Sequence, residues 1–162
     1  MADGYDFDLA YESTTPEERT QFEVEVVEDA ESPEIARLQF SLTNESDREL
    51  RSALTSGVPP PFGILKLYGP AGEFLLWSDS YRSHDGVYTE GVRVTGRVKP
   101  ICMTHLEPHE RVTETYSVRS DEHQLRSQGG LRPGEYEILG ADGHPITIDG
   151  QERPVDVVVT ER

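Results

Sequence analysis

The sequence predicts an all-β protein made of antiparallel strands, with one or two short helical turns. Apolar and polar residues alternate along most of the chain, as in Phe22, Val24 and Val26 with Glu23 and Glu25 between them. Turn-forming Gly, Pro, Asn and Asp residues separate the alternating runs at short intervals. The helical candidates carry no long apolar stripe, so the packed core has to come from strands.

The strand candidates are short runs rich in aromatic and β-branched residues, and each is bounded by a turn signal. In chain order they are 5–11, 22–26, 38–42, 64–68, 74–77, 87–94, 101–104, 112–118, 135–139, 146–148 and 155–160. We expect a single domain over residues 1–162, with a core sandwich at 22–160 and 5–11 as an extra N-terminal strand.

Two segments have the start and stop signals of a helix. In 15–19 a threonine is followed by proline at the first helical position, and 121–128 begins at an aspartate and ends before Gly129-Gly130. Both are one or two turns long. They add short helical turns to the predicted β-sandwich.

The charge of the chain indicates where the protein works. It has 31 Asp and Glu against 15 Lys and Arg, a formal net charge of −16, and two of the basic residues are lysines. So much like charge destabilises a compact state in dilute buffer, whereas molar salt shortens the Debye length to about 3 Å. We therefore expect a halophilic protein from a high-salt cytosol. Without a basic patch it has no nucleic-acid partner.

Membrane and secretion signals are missing from the sequence. No apolar run approaches the ~20 residues of a membrane span, and the N-terminal residues lack the basic and apolar regions of a signal peptide. Cys102 is the sole cysteine, so the chain forms no internal disulfide. These observations predict a cytoplasmic protein with no membrane partner.

Four features are typical of an immunoglobulin-like sandwich. A strand closes in the turn Asn44-Glu45-Ser46, and the turn 106–110 (Leu-Glu-Pro-His-Glu) introduces a later strand. Trp77 supplies a central indole. Tyr136 follows a Pro-Gly turn, as in a tyrosine corner, where the hydroxyl bonds to backbone a few residues upstream. We expect about 8–10 strands in such a sandwich.

The order and spacing of these segments resemble the BsuPI-type intracellular proteinase inhibitors, a family of small cytosolic immunoglobulin-like domains. The resemblance runs from about Phe22 to Thr160. It departs where His109 stands in place of a usual glycine, and in extra residues around 84–100. The resemblance implies a non-catalytic protein-binding module that inhibits or regulates an intracellular protease. An accessory immunoglobulin-like domain of a surface or lipoprotein system is the alternative, and the oligomeric state stays open.

A proline-rich segment is the first candidate contact site. It consists of Val58, Pro59, Pro60, Pro61 and Phe62. Consecutive prolines favour an extended, pre-ordered backbone that loses little entropy on binding. The alternative is structural, because prolines also protect a sheet edge or shape a crossover between sheets.

A second candidate contact loop lies in 81–88. Its candidate contact residues are Tyr81, Arg82, His84 and Tyr88, and Tyr and Arg are enriched at protein interfaces. The alternative is that its aromatic residues face inward from a strand.

A metal site is a minor alternative. Cys102 and His105, with His109 and His84, have ligand types like those of a cupredoxin-like copper loop. However, about 50 residues follow this loop, and the axial methionine is missing. We therefore predict no metal and no cofactor, with Cys102 as a small core residue.

Catalytic motifs are missing as well. Ser78, Ser80, His84 and Asp85 lie close in sequence, but no Gly-x-Ser-x-Gly elbow surrounds a serine. We interpret this stretch as a polar turn and predict that the protein is not an enzyme.

Overall fold

The computed structural model describes residues 4–12, 19–27, 31, 33–53, 59–70, 72–97, 103–148 and 151–161. Within these ranges the chain is mostly strand with two short helices, which confirms the all-β prediction. The strands are Tyr5–Tyr11 (β1), Thr20–Val27 (β2), Glu34–Asn44 (β3), Leu50–Ala53 (β4), Leu65–Gly69 (β5), Gly72–Leu75 (β6), Val87–Glu90 (β7), Arg93–Arg97 (β8), Met103–Leu106 (β9), Arg111–Arg119 (β10), Gly134–Gly140 (β11), Ile146–Ile148 (β12), Gln151–Arg153 (β13) and Val155–Glu161 (β14). The helices are Ser80–Ser83 (α1) and His123–Ser127 (α2).

Two antiparallel sheets form the sandwich. The larger has five strands in the order β1-β14-β11-β5-β6, and the smaller has three in the order β10-β3-β2. Three further pairs, β4-β9, β7-β8 and β12-β13, stand outside these sheets. The N-terminal strand expected as an addition to the sandwich pairs along its whole length with β14, from Tyr5 opposite Glu161 to Tyr11 opposite Val155.

The core lies between the two sheets, because each contributes one apolar face. Phe22 and Phe40 point inward from the three-stranded sheet, and both are fully buried. Aromatic rings join the sheets: Tyr11 of β1 meets Phe22 edge-on at 5.8 Å, and Phe62 lies 5.6 Å from Phe40. Such pairs contribute about 0.5–1.5 kcal/mol beyond the area that they bury.

The chain changes sheets between Leu76 and Trp77. The N–H of Leu76 donates to the carbonyl of Leu65 at 3.0 Å, beside β5 of the larger sheet. The N–H and C=O of Trp77 bond to Ser117 of β10 at 2.9 and 2.7 Å. The indole is buried, as the sequence predicts, at the point where the chain joins the smaller sheet.

The predicted tyrosine corner is confirmed. The hydroxyl of Tyr136 donates to the carbonyl of Arg132 at 2.6 Å, and the ring is buried. A Cβ atom on Gly69 would lie 2.4 Å from two carbons of this ring, so the end of β5 has room for glycine alone.

Asn44 connects the end of β3 to the turn between β9 and β10. Its side chain is fully buried, and Nδ2 donates to the carbonyls of Arg48, Leu106 and Glu107 at 2.8, 3.2 and 3.1 Å. Oδ1 accepts from the N–H of Ser46 at 3.0 Å. One amide thus satisfies backbone groups from two distant turns, which explains why an Asn-x-Ser turn closes this strand.

The turn before β10 has one residue in the left-handed region. His109 has a φ of 64°, a conformation that favours glycine because it lacks a Cβ atom. His109 therefore holds a backbone conformation that is uncommon for a residue with a side chain.

The described residues form 14 strands instead of the predicted 8–10, and their boundaries differ from those of the predicted runs. Residues 87–94 form two strands, β7 and β8, because Gly91 adopts a positive φ of 61° and turns the chain. Strands β4 and β13 were not predicted, since both are short and polar. The helical candidate at 121–128 is confirmed as α2, whose N-terminus is capped by Glu122. The candidate at 15–19 lies almost entirely outside the described residues.

Candidate functional site

The proline-rich segment lies in the core, which corrects the prediction of an exposed contact site. Pro59, Pro61 and Phe62 are buried, and Pro60 is half-buried. The N–H of Gly63 donates to the carbonyl of Pro59 at 2.7 Å, so the segment forms a turn instead of an extended strand. Val58 lies outside the described residues. The structural alternative, a segment shaped to fill the sandwich, fits these observations.

Tyr81 is also in the core, so the prediction that it contacts a partner is wrong. Its side chain is fully buried in α1, where the hydroxyl donates to the carbonyl of Leu76 at 2.7 Å and accepts from the N–H of Leu65 at 3.2 Å. Burial raises the pKa of this phenol far above its usual value. The residue anchors α1 to the point where the chain changes sheets.

The other three residues of this loop reach the surface. The Arg82 guanidinium lies 5.0 Å from the centre of the Trp77 ring and donates to the carbonyl of Gly91 at 3.0 Å. His84 is half-buried. Tyr88 is 55% exposed. The structure therefore places Arg82 and Tyr88 at the surface of the β7–β8 hairpin.

We call this surface the basic hairpin and define it by Arg82, Tyr88, Arg93 and Arg97. Arg93 lies opposite Glu90, and Gly96 lies opposite Tyr88, so the Tyr88 ring rests over a residue with no side chain. The described residues 82–97 contain three arginines and two acidic residues, Asp85 and Glu90, a net of +1. In a chain of net charge −16, this is a region of reversed sign.

A polar groove of about 530 Å³ lies beside Trp77, at the edge of β10. Ser78 and Ser80 both donate to the same oxygen, Oε1 of Glu114, the former at 2.6 Å. The indole N–H of Trp77 donates to Asp79 Oδ1 at 3.1 Å. We call this site the β10 groove; its lining residues are Glu34, Arg37, Trp77, Ser78, Asp79, Ser80, Thr113, Glu114, Thr115, Ser117 and Arg119.

The β10 groove is lined by hydroxyl, carboxylate and guanidinium groups. No histidine or cysteine is among its described lining residues, and both serine hydroxyls donate to the Glu114 carboxylate. Sequence reasoning identified Ser78 and Ser80 only as a polar turn. The missing partner was Glu114, which comes from a distant strand. Glu114 alternates with exposed residues in step with Val112 and Tyr116, and this alternation was the sequence signal that could have identified it.

The candidate metal ligands are divided among separate contacts. His105 Nε2 lies 2.9 Å from Glu49 Oε1, and His109 Nε2 lies 2.9 Å from Asp47 Oδ1. His84 instead accepts at Nδ1 from the N–H of Gly86 at 3.0 Å. Cys102 lies outside the described residues. The structure therefore does not bring the histidines together around one point.

One small group near His105 has metal-ligand chemistry. Ligand atoms of Glu49, His105 and Glu107 lie within 4.8 Å of one another, and all three residues are exposed. The hydrogen bond from His105, with a further contribution from Arg51, lowers the pKa of Glu49. Glu49 Oε1 lies 2.9 Å from both His105 Nε2 and Arg51 Nε, so this group forms a surface cluster of polar contacts.

Both helices of the described residues are too short to cross a membrane. They contain four and five residues, and neither is apolar enough to form a span.

Comparison with known proteins gives a limited result. No family model and no curated protein matches the chain. A β-glucosidase from Listeria innocua, solved with glucose, is 14% identical with a TM-score of 0.34, and the match covers 88% of this chain and 16% of that one. A β-D-glucoside glucohydrolase from Trichoderma reesei is 10% identical with a TM-score of 0.29, covering 99% and 18%. Similarity at this level does not define a common function.

Proposed function

We propose that this protein is a non-catalytic protein-binding module whose partner docks on the basic hairpin. The observation that carries the proposal is Tyr88, a half-exposed aromatic residue among arginines on an otherwise acidic protein. Tyr and Arg are enriched in interface hot spots, where an aromatic ring fills a pocket and the guanidinium makes directional bonds. The reversed charge favours a partner with an acidic surface.

The hairpin is held in place before binding. Arg82 connects the turn at Gly91 to the Trp77 ring, and Tyr81 anchors α1 in the core. A preformed surface loses less conformational entropy on association than a disordered one. This rigidity supports a role in binding.

The most specific form of the proposal is an inhibitor or regulator of an intracellular protease in a high-salt cytosol. It rests on the resemblance to the BsuPI-type family and on the acidic, lysine-poor composition. An accessory immunoglobulin-like domain of a surface or lipoprotein system is the alternative. It predicts attachment to a larger assembly instead of a soluble protease complex.

The test is affinity capture from a lysate of the source cell in molar KCl, followed by quantitative mass spectrometry. Molar salt suppresses indiscriminate binding of basic proteins to a chain of this charge. The expected result is one partner recovered at near-stoichiometric yield with the wild type, and reduced roughly tenfold by Tyr88→Ala. Val158→Ala is the matched control, because Val158 is exposed on a distant sheet face.

The outcomes of this capture distinguish the protease inhibitor from a protein-binding module of another kind. A partner with peptidase activity that the purified domain inhibits supports the protease version, and inhibition lost with Tyr88→Ala assigns it to the basic hairpin. A partner without peptidase activity rejects the protease-inhibitor proposal and still supports a protein-binding module. Equal recovery by wild type and Tyr88→Ala rejects the basic hairpin as the contact surface.

A further inference from the structure

The three-stranded sheet ends at β10, and part of this edge has no neighbouring strand in the described residues. Trp77 bonds to Ser117 on the side of β10 that faces away from β3. In an antiparallel strand, alternate residues direct their N–H and C=O groups to the same side. Thr115 and Thr113 therefore direct theirs toward this same edge, and no described backbone group bonds to them there.

The β10 groove lies along this open edge. After Trp77 the chain enters α1, and its described bonds to β10 are then made by the Ser78 and Ser80 hydroxyls, so the backbone pairing stops after a single residue. Thr113 and Thr115 are among the lining residues of the groove of about 530 Å³ at this edge. The backbone groups of an edge strand are a template for another extended chain.

The groove is acidic. Its arginines already have acidic partners, because Arg37 bonds to Glu34 at 3.1 Å and Arg119 bonds to Asp121 at 2.8 Å. In the described residues the hydrogen bonds to Asp79 and Glu114 come from neutral donors, the Trp77 indole and two serine hydroxyls. Three carboxylates and two guanidinium groups line the groove, so its lining has one more acidic than basic residue.

We propose that β10 binds an extended basic segment of a partner protein by strand addition. The segment pairs its backbone with Thr113 and Thr115 and places a Lys or Arg side chain against Asp79 and Glu114. In this binding mode, main-chain hydrogen bonds provide affinity, and side-chain pockets provide specificity. A second copy of this chain is a poor occupant, because pairing two such edges brings two acidic grooves together.

The inference stands on residues other than those of the basic hairpin. The two surfaces also select opposite charges, since the hairpin favours an acidic patch and the groove a basic segment. Tyr88→Ala therefore leaves binding at the groove unchanged, and the two proposals fail or succeed separately.

The experiment uses the full chain and a fluorescent peptide of about eight residues that alternates Arg with Val, long enough for one strand. Binding is measured by fluorescence anisotropy at about 0.15 M and about 2 M KCl. The control peptide has the same sequence with N-methylated backbone amides, which keep the charge but cannot donate to a strand. The expected result is saturable binding of the first peptide and binding weaker by roughly tenfold or more for the second.

Variants of the protein locate the site. Thr115→Pro removes the N–H that faces the open edge and should weaken binding by roughly tenfold. Val26→Pro, on the outer edge of β2 in the same sheet, is the matched control and should change binding by less than about twofold. Asp79→Asn keeps an oxygen acceptor for Trp77 and should weaken binding about threefold at low salt and less at high salt.

A structural readout completes the test. Amide hydrogen exchange at Thr113 and Thr115 should slow by roughly tenfold when the peptide is bound, because both amides become hydrogen-bonded. Equal binding of the N-methylated peptide to the wild type overturns the proposal even if Thr115→Pro does not fold. Unchanged exchange at both threonines in the saturated complex also overturns it.

Discussion

The outer faces of the two sheets differ in how they arrange charge. On the five-stranded sheet, Glu137 of β11 lies directly opposite Asp156 of β14, and like charges in this position repel. On the three-stranded sheet, Arg111 of β10 lies 3.6 Å from Glu23 of β2 and also donates to the Ser41 hydroxyl at 3.2 Å. One face concentrates negative charge, whereas the other neutralises its own.

This difference separates two roles within one sandwich. The acidic face contributes to solubility and costs stability unless salt screens it. The mixed face has paired charges, and in the described residues the outer edge of its sheet at β10 pairs with Trp77 alone. Both faces share one core, and their different responses to salt can therefore be measured against a common reference.

The largest expected effect concerns that common core. Phe62 is buried between the sheets beside Phe22 and Phe40, and Phe62→Ala should lower the free energy of unfolding by about 3–5 kcal/mol. The loss should be the same at about 0.5 M and about 3 M KCl, because it comes from packing and not from charge. Chemical denaturation at both salt concentrations measures it. A loss confined to low salt would show that the core depends on the charged faces.

An intermediate effect compares the two outer faces directly. Glu137→Lys replaces a like-charge pair by an opposite-charge pair and should raise the free energy of unfolding by about 1 kcal/mol at low salt. Glu23→Gln removes the partner of Arg111 and should lower it by less than about 1 kcal/mol. Both changes should shrink in molar KCl. The same sign for both variants would contradict the proposed difference between the faces.

The smallest expected effect concerns one ion pair at the end of β10. The hydrogen bond from Arg119 lowers the pKa of Asp121 below its unfolded value, so its contribution to stability is present above that value and is lost as the pH falls through the folded pKa. The carboxylate is partly exposed, so Asp121→Asn should cost about 0.5 kcal/mol at neutral pH. The difference from wild type should shrink as the pH falls below the ordinary aspartate pKa of 3.8. A pH series of denaturation curves measures it, and a difference that persists at low pH would indicate a role other than the ion pair.

Much of the fold was predictable because strand periodicity is local. The alternation in β1, β2 and β3 identified the inward residues correctly, and Pro133-Gly134 before Tyr136 identified the corner. The prediction failed where one residue changed the direction of the chain. Gly91 divides a run of alternating valines into two strands, and nothing in the spacing of those valines reveals the turn.

The candidate contacts were predicted less well, because composition does not reveal which side of the sandwich a loop faces. Tyr81 and Phe62 have the chemistry of contact residues, but both are fully or nearly fully buried. Arg82 and Tyr88 have the same chemistry and are exposed. The β10 groove was missed because its central carboxylate, Glu114, meets Ser78 across 36 positions of sequence.

The sequence by itself determined the fold class, the acidic surface and the tyrosine corner, since each depends on the order of neighbouring residues or on total charge. The tertiary structure alone decided that the proline segment fills the core, that Trp77 joins the smaller sheet for a single residue, and that no further described strand pairs with the outer edge of β10. These features depend on contacts between residues far apart in the chain. Local conformational propensity does not describe such contacts, because they depend on how the two sheets pack around one shared core.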